Sequence, residues 1–341
     1  MDDFTGNHIL SVNQLDRDAI AKIFNTANIM LPYAQRKKRT RVLDGAILGN
    51  MFFEASTRTR VSFGSAFNLL GGFVRETTGM SSSALAKGES LFDTARVLSS
   101  YADVIAMRHP ESGSVKEFSQ GSLVPVINGG DGSNEHPTQA LLDLYTIEKE
   151  LASSAQRIDN MHIAMVGDLK HGRTVHSLSK LLSQYTNITF SLISPKALAM
   201  PDDIVSILEN AGHKVIITDS IEGNVDADIL YLTRIQEERF SDQQEADLYR
   251  GQFRLNQQIY TQHCKSNTVI MHPLPRDSRS DANELDTDLN LNPNLAIFRQ
   301  VENGVLIRMA LFALTLGVSN EITKHDTDVN WFSRKSITDI I

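Results

Sequence analysis

Short, continuous apolar segments alternate with helix-period segments along most of this chain, and that alternation constrains its fold more than any other feature. Strands are expected at residues 46–53, 73–77, 103–107 and 124–128 of the first half. The pattern restarts in the second half at residues 162–167, 188–193, 214–218, 228–232 and 268–271. A helix from about Leu91 to Tyr101 puts Leu91, Ala95, Leu98 and Ala102 on one face. Apolar strands without polar alternation are buried on both sides, as in parallel sheets covered by helices. The expected class is α/β, with two doubly wound domains, each a parallel sheet flanked by helices.

The length of 341 residues suits two domains of roughly 150 residues each. A chain this long buries a core large enough to need neither metal nor disulfide. A helix opening at His136-Pro137 and running to about Leu151 joins the two strand sets. Proline at the first helical position costs nothing, because its missing N–H would be unpaired there anyway. The expected division is a first domain at 1–145, joined by a returning helix at 300–317, and a second at 146–299. Residues 318–341 form a tail, whose Trp331 and Phe332 either cover an apolar patch or stay disordered. The polar stretch 277–294 reads as a long mobile loop, and Gly129-Gly130-Asp131-Gly132 as a flexible turn before His136.

Composition excludes several classes. Against 33 Lys and Arg stand 41 Asp and Glu, a net charge of −8, which argues against wholesale nucleic-acid binding. Small anions are still admissible, since a few clustered arginines reverse the local field. Cys264 is the only cysteine, so no disulfide forms within one chain, and the usage fits a reducing, cytoplasmic setting. The acidic start Met1-Asp2-Asp3 lacks signal-peptide character, and the most apolar stretch, 305–316, is too short for a bilayer and contains Arg308. No membrane association is expected.

The strand at 46–53 runs into Ser56-Thr57-Arg58-Thr59-Arg60, followed by a helix carrying Val61, Phe63, Phe67 and Leu70 that stops at Gly71-Gly72. Hydroxyls and guanidiniums at a helix N-terminus beyond a strand form an anion site by position. The plainer reading is a capped helix with solvated arginines. Elsewhere, residues 167–174 match the nucleotide-phosphate pattern G-x-x-x-x-G-K-[ST] except that Arg173 replaces the lysine. No Asp follows the apolar strand at 229–232, which argues against a nucleoside triphosphatase. His263-Cys264 has no companion at metal-ligand spacing, so neither metal nor cofactor is expected. His109, His162 and His176 read as satisfied core or surface histidines.

Ser56-Thr57-Arg58-Thr59-Arg60 closely resembles the carbamoyl-phosphate signature of the aspartate and ornithine carbamoyltransferases. Three further segments match in order: Met107-Arg108-His109-Pro110, His136-Pro137-Thr138-Gln139 and His272-Pro273-Leu274-Pro275-Arg276. The resemblance runs from about Leu10 to Leu316. Ornithine-type members have Cys where Pro273 stands, and a Ser-Met-Gly motif where this chain reads Thr233-Arg234-Ile235-Gln236. Aspartate-type members are similar to this chain at both places. The physics agrees, because two carboxylates call for guanidiniums, and Arg173 and Arg234 supply them. Each such bond is worth roughly 1.5–3 kcal/mol in a dry site. Ornithine would bring a cation against them.

The resemblance implies carbamoyl transfer from carbamoyl phosphate to the α-amine of L-aspartate, an early step of de novo pyrimidine (UMP) biosynthesis, in a cleft between the two domains. It implies that Ser56, Thr57, Arg58 and Thr59 hold the phosphate, while Thr59, Arg108 and His136 address the carbonyl oxygen. His136, ahead of a helix N-terminus, is expected as a neutral donor. Gln139 and the carbonyls of Pro273 and Leu274 would orient the carbamoyl nitrogen and the amine, with a cis bond at Leu274-Pro275. Arg173, Arg234 and Gln236 would take the aspartate carboxylates. Ser83, with Ser82 one register away, and Lys87 would reach into a neighbouring subunit's site, making the active unit a homotrimer. Separate regulatory chains, which some members bind, stay open as partners. A silent anion-binding relative would lack a chemical group. None is missing among Arg58, Thr59, Lys87, Arg108, His136, Arg173, Arg234 and Gln236.

Overall fold

In the computed structural model, which describes residues 3–79, 88–221, 226–240, 247–279 and 281–332, the alternation resolves into two all-parallel sheets. They belong to two units, one built from residues 1–142 and 302–340, the other from 143–301.

The first unit contains β2 (Ile47–Phe52), β3 (Phe73–Thr78), β4 (Val104–His109) and β5 (Val126–Asp131), in the order β3-β2-β4-β5. Helices α1 (Arg17–Ala34), α2 (Thr57–Leu69), α3 (Leu91–Leu98) and α4 (Ser114–Gly121) alternate with them. Strand pleating sends successive side chains to opposite faces. Met51 and Phe53 pack with Ile105, Met107 and Val126 against Ala95 of α3 and Val115 and Phe118 of α4. Phe52 points the other way, its ring 6.3 Å from Phe63 of α2, and Phe63 and Phe67 meet Phe312 edge-on at 5.9 and 4.9 Å. Val61 of the same helix is exposed. The helix ends as its glycines demand: Gly71 has φ +94°, and a Cβ there would lie 2.8 Å from the Arg41 backbone. Helix α3 stops short of Tyr101, where the N–H groups of Ser100 and Tyr101 bond three residues back, to Val97 and Leu98 at 3.0 Å.

Both ends of the described chain are used in this unit. Ile9 donates to Val126 and accepts from Asn128, both at 2.8 Å, adding backbone pairing along the outer side of β5. In the tail, β11 (Asp326–Asp328) pairs antiparallel with β1 (Lys38–Thr40). The tail anchors through Ile322, which is buried, while Trp331 and Phe332 are exposed.

The second unit contains β6 (His162–Val166), β7 (Thr189–Ile193), β8 (Lys214–Thr218), β9 (Ile229–Leu232) and β10 (Val269–Met271), ordered β10-β9-β6-β7-β8. Helices α6 (Arg173–Leu182), α7 (Asp202–Asn210) and α8 (Gln257–His263) accompany them, and α5 (Pro137–Ser153) and α9 (Ile297–Thr315) carry the chain from unit to unit. Ala164, Val166, Leu230, Leu232 and Ile270 form its core with Leu255, Leu285, Leu289 and Leu295.

Two expectations are corrected. The stretch 277–294 is not a mobile loop: Leu285 and Leu289 are buried, Leu255 and Glu284–Asp286 exchange backbone hydrogen bonds at 2.9 Å, and Thr287–Leu291 forms a 3-10 turn. Nor is Gly129–Asp131 a flexible turn. It is the buried end of β5, where the β4–β5 register slips between Met107 and His109, and a Cβ on Gly129 would come 3.2 Å from the Met107 carbonyl.

Candidate active site

In each sheet the chain winds first to one side and then to the other, and ligands of open α/β sheets sit beyond the strand ends at that reversal. In the first unit the reversal falls between β2 and β4. Ser56 takes the cap position of α2 with φ −162°, yet its hydroxyl makes no capping bond, and no acidic residue stands in the first turn. The capping alternative therefore fails for Ser56, and the positive helix end faces no carboxylate of its own first turn. Thr57 and Arg58 are exposed and Thr59 is buried. Arg60 is engaged elsewhere, with Nη1 2.7 Å from Glu76. Arg108, 9% exposed, sits opposite the register slip, and such a bulge re-aims a side chain. Its Nε donates to Glu54 at 3.0 Å. Glu54 was not among the residues expected from the sequence.

His136 and Gln139 open α5, and their approach is tightly held. Asp131 accepts the N–H of Gly113 at 3.0 Å and of Glu135 at 3.1 Å. Glu135 in turn accepts the Ser11 hydroxyl at 2.9 Å and the Val12 N–H at 2.8 Å. Buried Arg308, from α9, donates to Ser62 of α2 at 2.9 Å and lies 3.5 Å from Thr138 of α5, tying the second turn of α2 to the first turn of α5.

In the second unit the reversal falls between β6 and β9, with β10 beyond β9. The segments after these three neighbouring strands carry Arg173, then Arg234 and Gln236, then Pro273 and Leu274. Arg173 is 9% exposed and begins α6, while Arg234 and Gln236 are half-buried. Gly167, at φ +113°, lets the first two loops touch, since a Cβ there would fall 2.2 Å from the Thr233 carbonyl. Fully buried Asp168 accepts the N–H of His171 at 3.0 Å and of Gln236 at 3.2 Å. A loop built round a buried carboxylate is the reverse of a phosphate cradle, which answers the nucleotide-phosphate pattern there. The Leu274-Pro275 bond is cis.

The structure thus groups Ser56, Thr57, Arg58, Thr59, Arg108, His136 and Gln139 in one unit and Arg173, Arg234, Gln236, Pro273 and Leu274 in the other. Ser82, Ser83 and Lys87 lie outside the described residues. Burial lowers the pKa of His109, His162 and His176, and each ring has a hydrogen-bond partner. Burial pushes the Cys264 thiol up to about 11. Among the described residues no group of three or more His, Cys, Asp or Glu could hold a metal, and no helix is long and apolar enough to cross a membrane.

Residues 7–149 match the family model for the carbamoyl-phosphate-binding domain of aspartate/ornithine carbamoyltransferases, and residues 159–315 match that for the Asp/Orn-binding domain. The chain belongs to the aspartate/ornithine carbamoyltransferase family. Within it, the chain is 69% identical over 331 residues to the aspartate carbamoyltransferase catalytic subunit of Cellvibrio japonicus, covering 97% of this chain and 98% of that one. The catalytic subunit from Methanocaldococcus jannaschii is 44% identical over 305 residues, covering 89% and 96%. A Trypanosoma cruzi aspartate transcarbamoylase solved with N-(phosphonacetyl)-L-aspartic acid superposes with a TM-score of 0.84 at 36% identity, covering 92% of this chain and 97% of that one.

Proposed function

We propose that this carbamoyltransferase moves the carbamoyl group of carbamoyl phosphate to the α-amine of L-aspartate, giving N-carbamoyl-L-aspartate and phosphate. The observation that carries the acceptor is the pair of guanidiniums, Arg173 and Arg234, at the second sheet's reversal, where an α-amino acid with two carboxylates finds two cations. Relatives 69% and 65% identical over nearly the whole chain are named aspartate carbamoyltransferase catalytic subunits. A Trypanosoma cruzi aspartate transcarbamoylase has been solved with carbamoyl aspartate and phosphate.

The amine, once deprotonated, is nucleophilic enough to need no covalent intermediate. Its lone pair attacks the carbamoyl carbon, the carbonyl becomes an oxyanion, the bond to the phosphate oxygen breaks, and the amine proton leaves with the phosphate. The protein's part is to place two anions together and stabilise that oxyanion. In this reading Ser56, Thr57, Arg58 and Thr59 bind the phosphate, and Thr59, Arg108 and His136 face the oxyanion. Gln139 and the carbonyls of Pro273 and Leu274 orient the carbamoyl nitrogen and the amine. Arg173, Arg234 and Gln236 hold the aspartate. Ser83 and Lys87 serve a neighbouring copy in a homotrimer, in the cytoplasm, early in pyrimidine synthesis. Glu54 keeps the Arg108 guanidinium in place before substrate arrives.

The test is a carbamoyl-transfer assay with L-aspartate and L-ornithine in parallel. Ureido product from aspartate alone is expected. Product from ornithine, or none from aspartate, overturns the reading.

A further inference from the structure

Behind the segment that follows β10 runs a buried chain of polar groups with no assigned part in the transfer. The Tyr231 hydroxyl donates to Asp143 Oδ2 at 2.7 Å, and Gln300 Nε2 donates to Asp143 Oδ1 at 2.5 Å. Gln300 Oε1 accepts the His272 N–H at 3.1 Å, and His272 Nδ1 accepts the Leu274 N–H at 2.8 Å. An accepting Nδ1 carries no proton, so the ring proton of neutral His272 is on Nε2. That nitrogen lies 2.9 Å from Glu284 Oε1, out of line for a hydrogen bond. The same carboxylate accepts the Asp277 N–H, at 3.0 and 3.2 Å to its two oxygens. His272 and Glu284 are 1% and 6% exposed.

Glu284 therefore closes the five-residue turn from His272 to Arg276 by accepting the N–H that follows it, with the imidazole of the first residue lying against the same carboxylate. Between them Leu274 is held at φ +59°, a conformation a leucine rarely adopts. We propose that Glu284 is a positioning residue for carbamoyl transfer, fixing the end of the turn through the Asp277 N–H to aim the Pro273 and Leu274 carbonyls at the carbamoyl nitrogen and the attacking amine. The inference rests on the proposed reaction. Without the carboxylate, the Asp277 N–H is stranded and the turn is released at that end.

Three variants separate positioning from bulk stability. Glu284→Gln keeps an acceptor oxygen at the same reach, Glu284→Asp keeps the charge but shortens the reach, and Glu284→Ala removes both. A small misplacement of positioning groups costs up to about 100-fold in rate, so kcat should fall by about that in Glu284→Ala, about tenfold in Glu284→Asp and at most about threefold in Glu284→Gln. The Kd for inorganic phosphate, measured by calorimetry, should stay within about twofold in all three, because the phosphate groups belong to the other unit. Full activity in Glu284→Ala overturns the proposal, and so does a loss of phosphate affinity that tracks the loss of kcat. If the alanine variant does not fold, an unimpaired Glu284→Asp overturns it. A wild-type chain that makes no carbamoyl-aspartate defeats the reaction and this inference with it; an active wild type with equally active variants defeats this inference alone.

Discussion

The Asp168 carboxylate, buried at the end of β6, accepts the backbone N–H of Gln236 in the loop after β9 at 3.2 Å. One side chain thereby sets the spacing of two of the three loops proposed to take the acceptor. Asp168→Ala strands that N–H and the one from His171. Hydrogen bonds to a charged group are worth about 1.5–3 kcal/mol, so the KM for aspartate should rise about tenfold or more. The KM for carbamoyl phosphate should hold, and steady-state kinetics with each substrate varied in turn checks both.

The proposed anion site gives a second expectation. Arg58→Ala, or Lys87→Ala, should reduce turnover by about 100-fold or more, the usual loss when a group stabilising developing charge is removed. The assembly seen by size-exclusion chromatography should be unchanged. Rates near wild type in either variant would remove that residue from the machinery.

Close to Gln236, Glu237 receives Arg250 at 2.9 and 3.1 Å and Arg279 at 2.7 Å, and Arg279 also binds Asp277 at 2.6 Å. Hydrogen bonds from Arg250, reinforced by Arg279, pull the Glu237 carboxyl down to about 2. A carboxylate depressed in the folded state contributes stability that is present above its ordinary value and lost as pH falls from about 4.5 toward 2. The network borders solvent, so salt screens it. Glu237→Gln should raise the KM for aspartate a few-fold at low ionic strength, and the difference from wild type should close at about 1 M salt.

Buried histidines give stability the same sign of pH dependence at a higher pH. Burial depresses His8, His109, His162 and His176 from 6.5. The unfolded chain therefore takes up protons first, and the stabilisation present above about 6.5 is lost as pH falls below it. Thermal unfolding at pH 7.5 and 5.5 should show the lower melting temperature at 5.5. His176→Asn should flatten that dependence.

The tail anchor is also testable. Ile322 is buried, its carbonyl accepts the Thr40 hydroxyl at 3.0 Å, and Asp326 meets Lys38 at 2.8 Å and the Tyr33 hydroxyl at 3.2 Å. Ile322→Ala should cost about 2–5 kcal/mol. Asp326→Ala should cost far less, because Lys38 is well exposed and surface pairs contribute little. Denaturant titration distinguishes the two.

The sheets were legible wherever a strand is apolar on both faces. Residues 162–167 and 188–193 were located to within a residue, and the anion motif needed only its place after β2. Residues 277–294 were misread because Leu285 and Leu289 are diluted by Asp and Asn, so no period shows, although both leucines reach the core. Helix α1 was not singled out, although Ile20, Ile23, Phe24, Ala27 and Met30 recur at helical spacing and are buried. Glu54, Asp168 and Glu284 escaped for another reason. Each acts on a partner remote in sequence, or on a backbone N–H, and neither leaves a mark on composition or spacing.

The pairing of β1 with β11 has a consequence for biogenesis. During synthesis the 143–301 unit leaves the ribosome as one continuous stretch and can close its sheet at once. The unit with the phosphate motif cannot finish. Its Phe63 and Phe67 await Phe312, its Ser62 awaits Arg308, and Lys38 awaits Asp326, nearly three hundred residues later. The first part made is thus the last completed, and until then Phe63 and Phe67 of α2 lack the ring that caps them.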